Sequence, residues 1–383
     1  MDTPAILVLE DGTSFRGRSI GKQGIAVGEV CFHTTMTGYP EALTNPAQHG
    51  QLLALTYPHA GNVGMDSAFF ESDAVQAAGL IVRDLALIAS SWRSQQRVET
   101  YLQDQGVVAI CDIDTRKLTR HLRSKGVLRG CVMAGDVDAG QALAQARAAK
   151  SLEGADLVPA VTTKEPYDWR VGHWRVSDGL GEGEKRAAAD LPHHVVALDL
   201  GVARRSLRSL VDSGCRISVV PAGTSTNEIL ALQPDGLFLS SGPGDPAAYQ
   251  AGITTISELL QQNLPVFGQG LGALMLAIAC GARCSKLKLG HYGSNHPVID
   301  LSDRRVMITS QNLSFKVDEF SLPETVQITH RSLFDETVQG FQCAERPVFG
   351  FLGYPEASAN QADLPPIYDR FVQMIMQATL GKR

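Results

Sequence analysis

The chain has 383 residues, 44% of them hydrophobic and 19% charged, and 34 Lys and Arg against 40 Asp and Glu give a formal net charge of −6. That length predicts two domains, or three, with enough apolar residues for sizeable cores. The mildly acidic balance excludes the basic footprint of a nucleic-acid binder, and no apolar run reaches the roughly 18 residues needed to span a bilayer. The start, Met1-Asp-Thr-Pro4, lacks the basic and apolar stretches of a signal peptide, so a cytoplasmic location is expected. The seven cysteines (Cys31, Cys111, Cys131, Cys215, Cys280, Cys284 and Cys343) contain no CxxC pair. They signal neither a disulfide framework nor a zinc site, and reduced, structural roles are expected.

In chain order, Ile6 to Phe15 reads as a β-hairpin turning at Asp11-Gly12. Strand-like runs follow at Leu52 to Leu55 and Gly79 to Val82. Helical patterns cover Ser90 to Gln103, Thr115 to Ser124 (with Asp114 or Thr115 as cap) and Ala139 to Ala149. This predicts a mixed α and β domain over residues 1–150. Residues 151–192 are rich in Gly, charge and Trp and read as a linker, partly packed through Trp169 and Trp174.

From His194 the rhythm alternates. Strands at His194 to Leu200, Arg216 to Val220 and Gly236 to Ser240 are separated by helices at Ala203 to Ser213 and near Thr226. A further helix is expected from Pro246 to Gln262. Strand, helix, strand implies a largely parallel sheet with helices on both faces over 193–383, an α/β fold. Such sheets carry their sites at the carboxyl ends of the strands.

Two Gly-rich turns fall at such ends: Ser240-Ser-Gly-Pro-Gly-Asp245 and Gly268-Gln-Gly-Leu-Gly272. The second follows an apolar strand, Leu264 to Phe267, and opens an apolar helix from Leu271 to about Cys280. This is the layout of a nucleophile elbow, which lifts one side chain above a sheet and aims backbone N–H groups at the same spot. The lifted position is Gly270, which has no side chain. Neither turn has GxGxxG spacing, and no GxxxxGK[ST] occurs, so no nucleotide cofactor is expected. Gly242 and Gly244 could lie in a plain loop or supply half of an oxyanion hole. Gly353-Tyr354-Pro355-Glu356 could orient a base or be an ordinary loop with a surface Glu; spacing alone favours the loop.

Several longer segments carry a resemblance. They include Thr34-Thr-Met-Thr-Gly-Tyr-Pro40, Leu55-Thr-Tyr-Pro-His-Ala-Gly-Asn-Val-Gly64, Asp112-Ile-Asp-Thr-Arg-Lys-Leu-Thr119, Phe238-Leu-Ser-Ser-Gly-Pro-Gly-Asp-Pro246, Gly290-His-Tyr-Gly-Ser-Asn-His-Pro-Val298 and Val306-Met-Ile-Thr-Ser-Gln-Asn312. Over essentially its full length the chain resembles the small-subunit family of carbamoyl phosphate synthetases. The resemblance implies a small-subunit N-terminal domain and a C-terminal class I glutaminase-like domain. It implies hydrolysis of glutamine and passage of ammonia to a large-subunit partner that uses bicarbonate and ATP.

The departures from that family's pattern cluster at one place. Its elbow Cys is Gly270 here, the His and Gln that follow are Ala273 and Leu274, and an apolar neighbour is Gln269. The base His is Tyr354, the triad acid is retained as Glu356, and a substrate-touching Ser is Ala47. A Gln-Asn-His-Gly-Phe run becomes Gln311-Asn312-Leu313-Ser314-Phe315. The expectation is a pseudo-glutaminase beside a large synthetase subunit that runs on free ammonia. Two alternatives stand beside it. One is a repurposed pocket holding an unknown small molecule, lined by the Gly242 and Leu271 amides, Gln269, Tyr354 and Glu356. The other is a stand-alone regulatory or scaffold protein.

Overall fold

Seven short strands close on themselves in the first unit of a computed structural model that describes residues 3–355 and 367–380. Pro4–Leu9 and Ser14–Ser19 form the expected hairpin, with Ala5 opposite Gly17 and Leu7 opposite Phe15. Ser14–Ser19 pairs with Val108–Cys111, which runs parallel to Gly79–Ile81. That strand runs parallel to Gln51–Leu55, itself parallel to Gly24–His33. Arg129–Ala134 then pairs antiparallel with both Gly24–His33 and Pro4–Leu9, closing a barrel. Alternation along the strands divides the burial. Leu7, Leu9, Val132 and Ala134 join one core, while Ile6, Val8, Cys131 and Met133 pack on Ala142 and Ala146 of the helix Ala139–Ala148.

The helix Thr115–Lys125 starts where its cap predicts, Asp114 Oδ1 accepting from the Lys117 N–H at 2.8 Å. The helix expected from Ser90 is shorter and occupies Val98–Asp104. Its first part is claimed by tertiary contacts: the buried Arg93 guanidinium pairs with buried Asp66, and Gln95 Nε2 also donates to Asp66. Desolvated charges held this way outweigh a helical pattern in a short segment.

Residues Met1–Ala155 with Lys288–Gly293 form one compact unit, and Asp156–Leu287 with Ser294–Arg383 the other. In the second unit, residues before His193 contribute a short helix, Val158–Val161, and a strand, Tyr167–Trp169, which pairs antiparallel with Cys215–Pro221. Parallel pairing then links Cys215–Pro221, His193–Asp199, Gly236–Leu239, Val266–Gln269 and Val348–Phe351. Beyond them the sheet turns antiparallel through Val338–Cys343, Val326–Ser332 and the long strand Arg283–Asp300, ending at Val306–Asp318. The helix expected from Pro246 begins only at Gln250, because Asp245 holds a turn, its Oδ1 accepting from Ala247 N–H at 2.9 Å and its carbonyl from Ala248 N–H.

Phe267 sits at the centre of this second core. It stacks on Phe349 at 4.6 Å between centroids and meets Tyr368 edge-on at 5.6 Å, so the helix Ile367–Leu380 covers that face. The opposite face receives the elbow helix, Leu271–Ala279. Among the described residues no helix is long and apolar enough to cross a membrane.

Candidate active site at a glycine elbow

The elbow strand, Val266–Gln269, ends at a residue whose backbone is unusual: Gly270 has φ 54° and ψ −118°. This left-handed φ is costly for residues with a Cβ and freely available to glycine. The turn is pinned from three sides. Gly270 N–H donates to Phe351 O at 3.1 Å, Leu274 N–H to Gly270 O at 3.1 Å, and Gly272 N–H to Ser240 O at 2.9 Å. Gly272 is obligatory for a second reason, because a Cβ there would lie 2.3 Å from Leu239 O and 2.6 Å from Ser240 O. The elbow helix therefore sits directly on the neighbouring strand, with backbone against backbone.

A Cβ added at Gly270 would meet Ser241 Cβ at 3.0 Å. Ser241 is 1% exposed, and its Oγ is buried without a hydrogen-bond partner among the described residues. Its neighbour behaves differently: Ser240 Oγ accepts from Leu200 N–H and donates to Ser241 O, both at 2.9 Å. Ser240 is thus committed to holding the turn, and Ser241 is the hydroxyl beside the empty position. In the sequence the two serines are adjacent members of one turn, and nothing there separates them.

Gly242 and Leu271 stand side by side. A Cβ on Gly242 would come within 2.9 Å of the Leu271 side chain and 2.0 Å of Leu200 O. Leu271 opens its helix, so its N–H is one that the helix leaves unpaired. Gly244, with φ 91°, completes the adjoining turn.

Gln269 is fully buried and points to the face away from the elbow helix. Ser206 Oγ donates to its Oε1 at 2.7 Å, and its Nε2 donates to Tyr368 Oη at 3.3 Å and Gly353 O at 3.4 Å. It ties the elbow strand to the helices Arg204–Asp212 and Ile367–Leu380. Ala273 and Leu274 are buried at 0% and 3% exposure. Ala273 lies against the sheet, where a Cβ on Gly268 would reach its Cα at 2.9 Å.

Tyr354 is 2% exposed and bridges the strand Val306–Asp318: its N–H donates to Ser310 O at 2.7 Å, and Ser310 N–H donates back at 3.3 Å. On that strand Gln311, Leu313 and Phe315 are buried, while Asn312 and Ser314 on the other face are half-buried. Asn312 Oδ1 is buried without a partner among the described residues. Glu356 lies outside the described residues. Ala47 belongs to the barrel unit, where its N–H donates to Asn45 Oδ1 at 3.0 Å.

Two buried ionisable groups outside the elbow are held by their own surroundings. Asp199, at the end of its strand, accepts from the N–H groups of Gly201, Val202 and Thr163 at 2.7–2.9 Å, and burial pushes its carboxyl up. Burial pushes the His330 imidazole down to about 4, against the pull of Asp300 at 3.5 Å. Such a ring is neutral at pH 7. Among the described residues no group of three or more His, Cys, Asp or Glu is arranged to hold a metal ion.

Two family models match the chain: the CPSase domain of the carbamoyl-phosphate synthase small chain over residues 7–132, and glutamine amidotransferase class-I over residues 196–374. The chain is 52% identical over 378 residues to a carbamoyl phosphate synthase small chain of Vibrio cholerae, covering 98% of this chain and 99% of that protein. It is 52% identical over 374 residues to that of Escherichia coli K12, covering 97% of each. Among solved structures, a glutamine amidotransferase from Thermotoga maritima is similar over 50% of this chain and 85% of its own, at 18% identity and a TM-score of 0.36.

Proposed function

The chain belongs to the carbamoyl phosphate synthase small-chain family, and on that premise we propose that it is a pseudo-glutaminase. It acts as the small-chain partner of a large synthetase subunit that draws on free ammonia. The observation that carries this reading is the bare Gly270 in an otherwise complete elbow. Glutamine hydrolysis through a thioester needs a thiolate and a base within hydrogen-bond reach. Gly270 cannot be acylated. Tyr354 offers a phenol in place of an imidazole, and phenols as a class are poor bases at neutral pH. Where nucleophile and base act as a unit, losing either costs roughly 10⁶-fold in rate. Ala47, Ala273 and Leu274 remove polar side chains that the family resemblance assigns to substrate binding, which weakens glutamine binding further. The triad acid, Glu356, has nothing left to orient.

The test is a paired assay of carbamoyl phosphate formation by this chain with its cognate large subunit. Ammonium supports synthesis and glutamine does not. Glutamine-dependent turnover approaching that with ammonium overturns the reading.

A second reading is a repurposed pocket that holds a small polar molecule. It is favoured by the buried, unpartnered Ser241 Oγ beside Gly270. Its mark is a ligand that co-purifies with the chain and is lost on Ser241→Val.

A further inference from the structure

The far end of the elbow helix carries chemistry that the proposed function does not use. Cys280 caps that helix, its N–H donating to Leu276 O at 3.0 Å. Cys343 ends the strand Val338–Cys343. They are 63 residues apart in sequence, yet their sulfurs stand 3.6 Å apart and share a hydrogen bond. A disulfide needs about 2 Å between sulfurs, so the two must approach further before they can bond.

Both thiols are half-buried, and they differ in what surrounds them. Cys343 lines a cavity of about 430 Å³, together with Arg346 and Arg370. Cys280 is not on that wall. Arg370 stacks its guanidinium over Phe349 at 4.6 Å and donates to Gln342. Neither Arg346 nor Arg370 forms an ion pair with a carboxylate among the described residues, so the wall around Cys343 is cationic. The hydrogen bond shared with Cys280 and the charge of Arg346 pull the Cys343 thiol below its ordinary range. The same shared bond, with burial, pushes Cys280 up. Four other cysteines, Cys31, Cys111, Cys131 and Cys215, are buried, and burial raises each of them. Cys284 is half-buried and raised to about 12 by burial, and its S–H points at Leu274 O.

We propose that Cys343 and Cys280 form a peroxide-responsive dithiol, with Cys343 on the cavity wall as the attacking thiol and Cys280 beside it as the resolving thiol. The Cys343 thiolate attacks one oxygen of hydrogen peroxide and breaks the O–O bond. It becomes a sulfenic acid, and the departing hydroxide takes a proton to leave as water. The Cys280 sulfur then attacks the sulfenic sulfur. The S–S bond forms as the S–O bond breaks, and a second water leaves with the Cys280 proton. Two thiols are oxidised and one peroxide is reduced to two waters.

The full-length reduced protein is treated with stoichiometric hydrogen peroxide under native conditions and mapped by peptide mass spectrometry without reduction. The expected result is loss of two of its seven free thiols, with the peptides of Cys280 and Cys343 joined and dithiothreitol restoring them. In Cys280→Ser, Cys343 is expected to give a sulfenic acid trapped by dimedone; in Cys343→Ser, Cys280 stays unmodified. The proposal is overturned if wild-type Cys343 passes to sulfinic acid without cross-linking. It is equally overturned if Cys284 is the partner found, or if both thiols survive treatment that oxidises other cysteines.

Discussion

The two ends of the elbow helix make opposite use of the same scaffold. At the start, the backbone layout of an elbow is present without a side chain at its tip: Gly270 has a left-handed φ, Leu271 opens the helix, and Gly272 makes close backbone contact. At the finish, two thiols meet with no elbow and no Gly-rich turn around them. Reactive geometry and reactive atoms are therefore specified separately. The first is held by backbone contacts that tolerate no Cβ, and the second by side chains that can be exchanged without disturbing the turn.

Substitutions at glycines of the two ends test that separation. Gly272→Ala has the largest expected effect. Its Cβ would lie 2.3 Å from Leu239 O, and backbone cannot step aside cheaply. Urea unfolding should show a loss of more than about 4 kcal/mol, or no soluble protein at all. A loss below about 1 kcal/mol would mean that the helix rides more loosely on the sheet than described.

Gly270→Ala is expected to cost about 2 kcal/mol, from its left-handed backbone and the 3.0 Å approach to Ser241 Cβ. Adding Ser241→Gly removes that contact and should recover part of the loss, so the pair is non-additive. Strict additivity would assign the whole cost to dihedral strain. At the other end, Gly281 has φ 102° and only Pro323 near its missing Cβ, at 3.7 Å. Gly281→Ala should cost about 1–2 kcal/mol, from backbone alone. The smallest effect belongs to Ser241→Ala, which deletes a buried hydroxyl without a partner and should stabilise the protein by about 1 kcal/mol. Destabilisation instead would mean that the hydroxyl holds something in solution.

The elbow was readable in the sequence because its signal is local. An apolar strand, five residues containing three glycines and an apolar helix specify the turn without help from elsewhere. The same holds for the Asp11-Gly12 hairpin and the Asp114 cap. The barrel was not readable, because its closure depends on pairings such as Gly24 with Ala134 that no local pattern encodes. The long strands Arg283–Asp300 and Val306–Asp318 were also missed: polar and apolar residues alternate there over too mixed a background to stand out. Within the site, the environment of Gln269 escaped reading because its partners, Ser206 and Tyr368, lie 63 residues before it and 99 after it. Ser241 was visible only as one of two adjacent serines, and the bonds to Ser240 are what distinguish it. Cys280 and Cys343 look unrelated at their spacing, and only folding brings them together.

The backbone at Gly270 also bears on the direction of evolutionary change. Glycine is the residue for which φ 54° and ψ −118° cost least, and a Cβ at this position would press on Ser241 Cβ at 3.0 Å. Under the function proposed above, a side chain regained at this position would have to climb in energy before it could confer an advantage, and Tyr354 would still have to change as well. On that reading the site works as a ratchet, because restoration needs several coordinated steps.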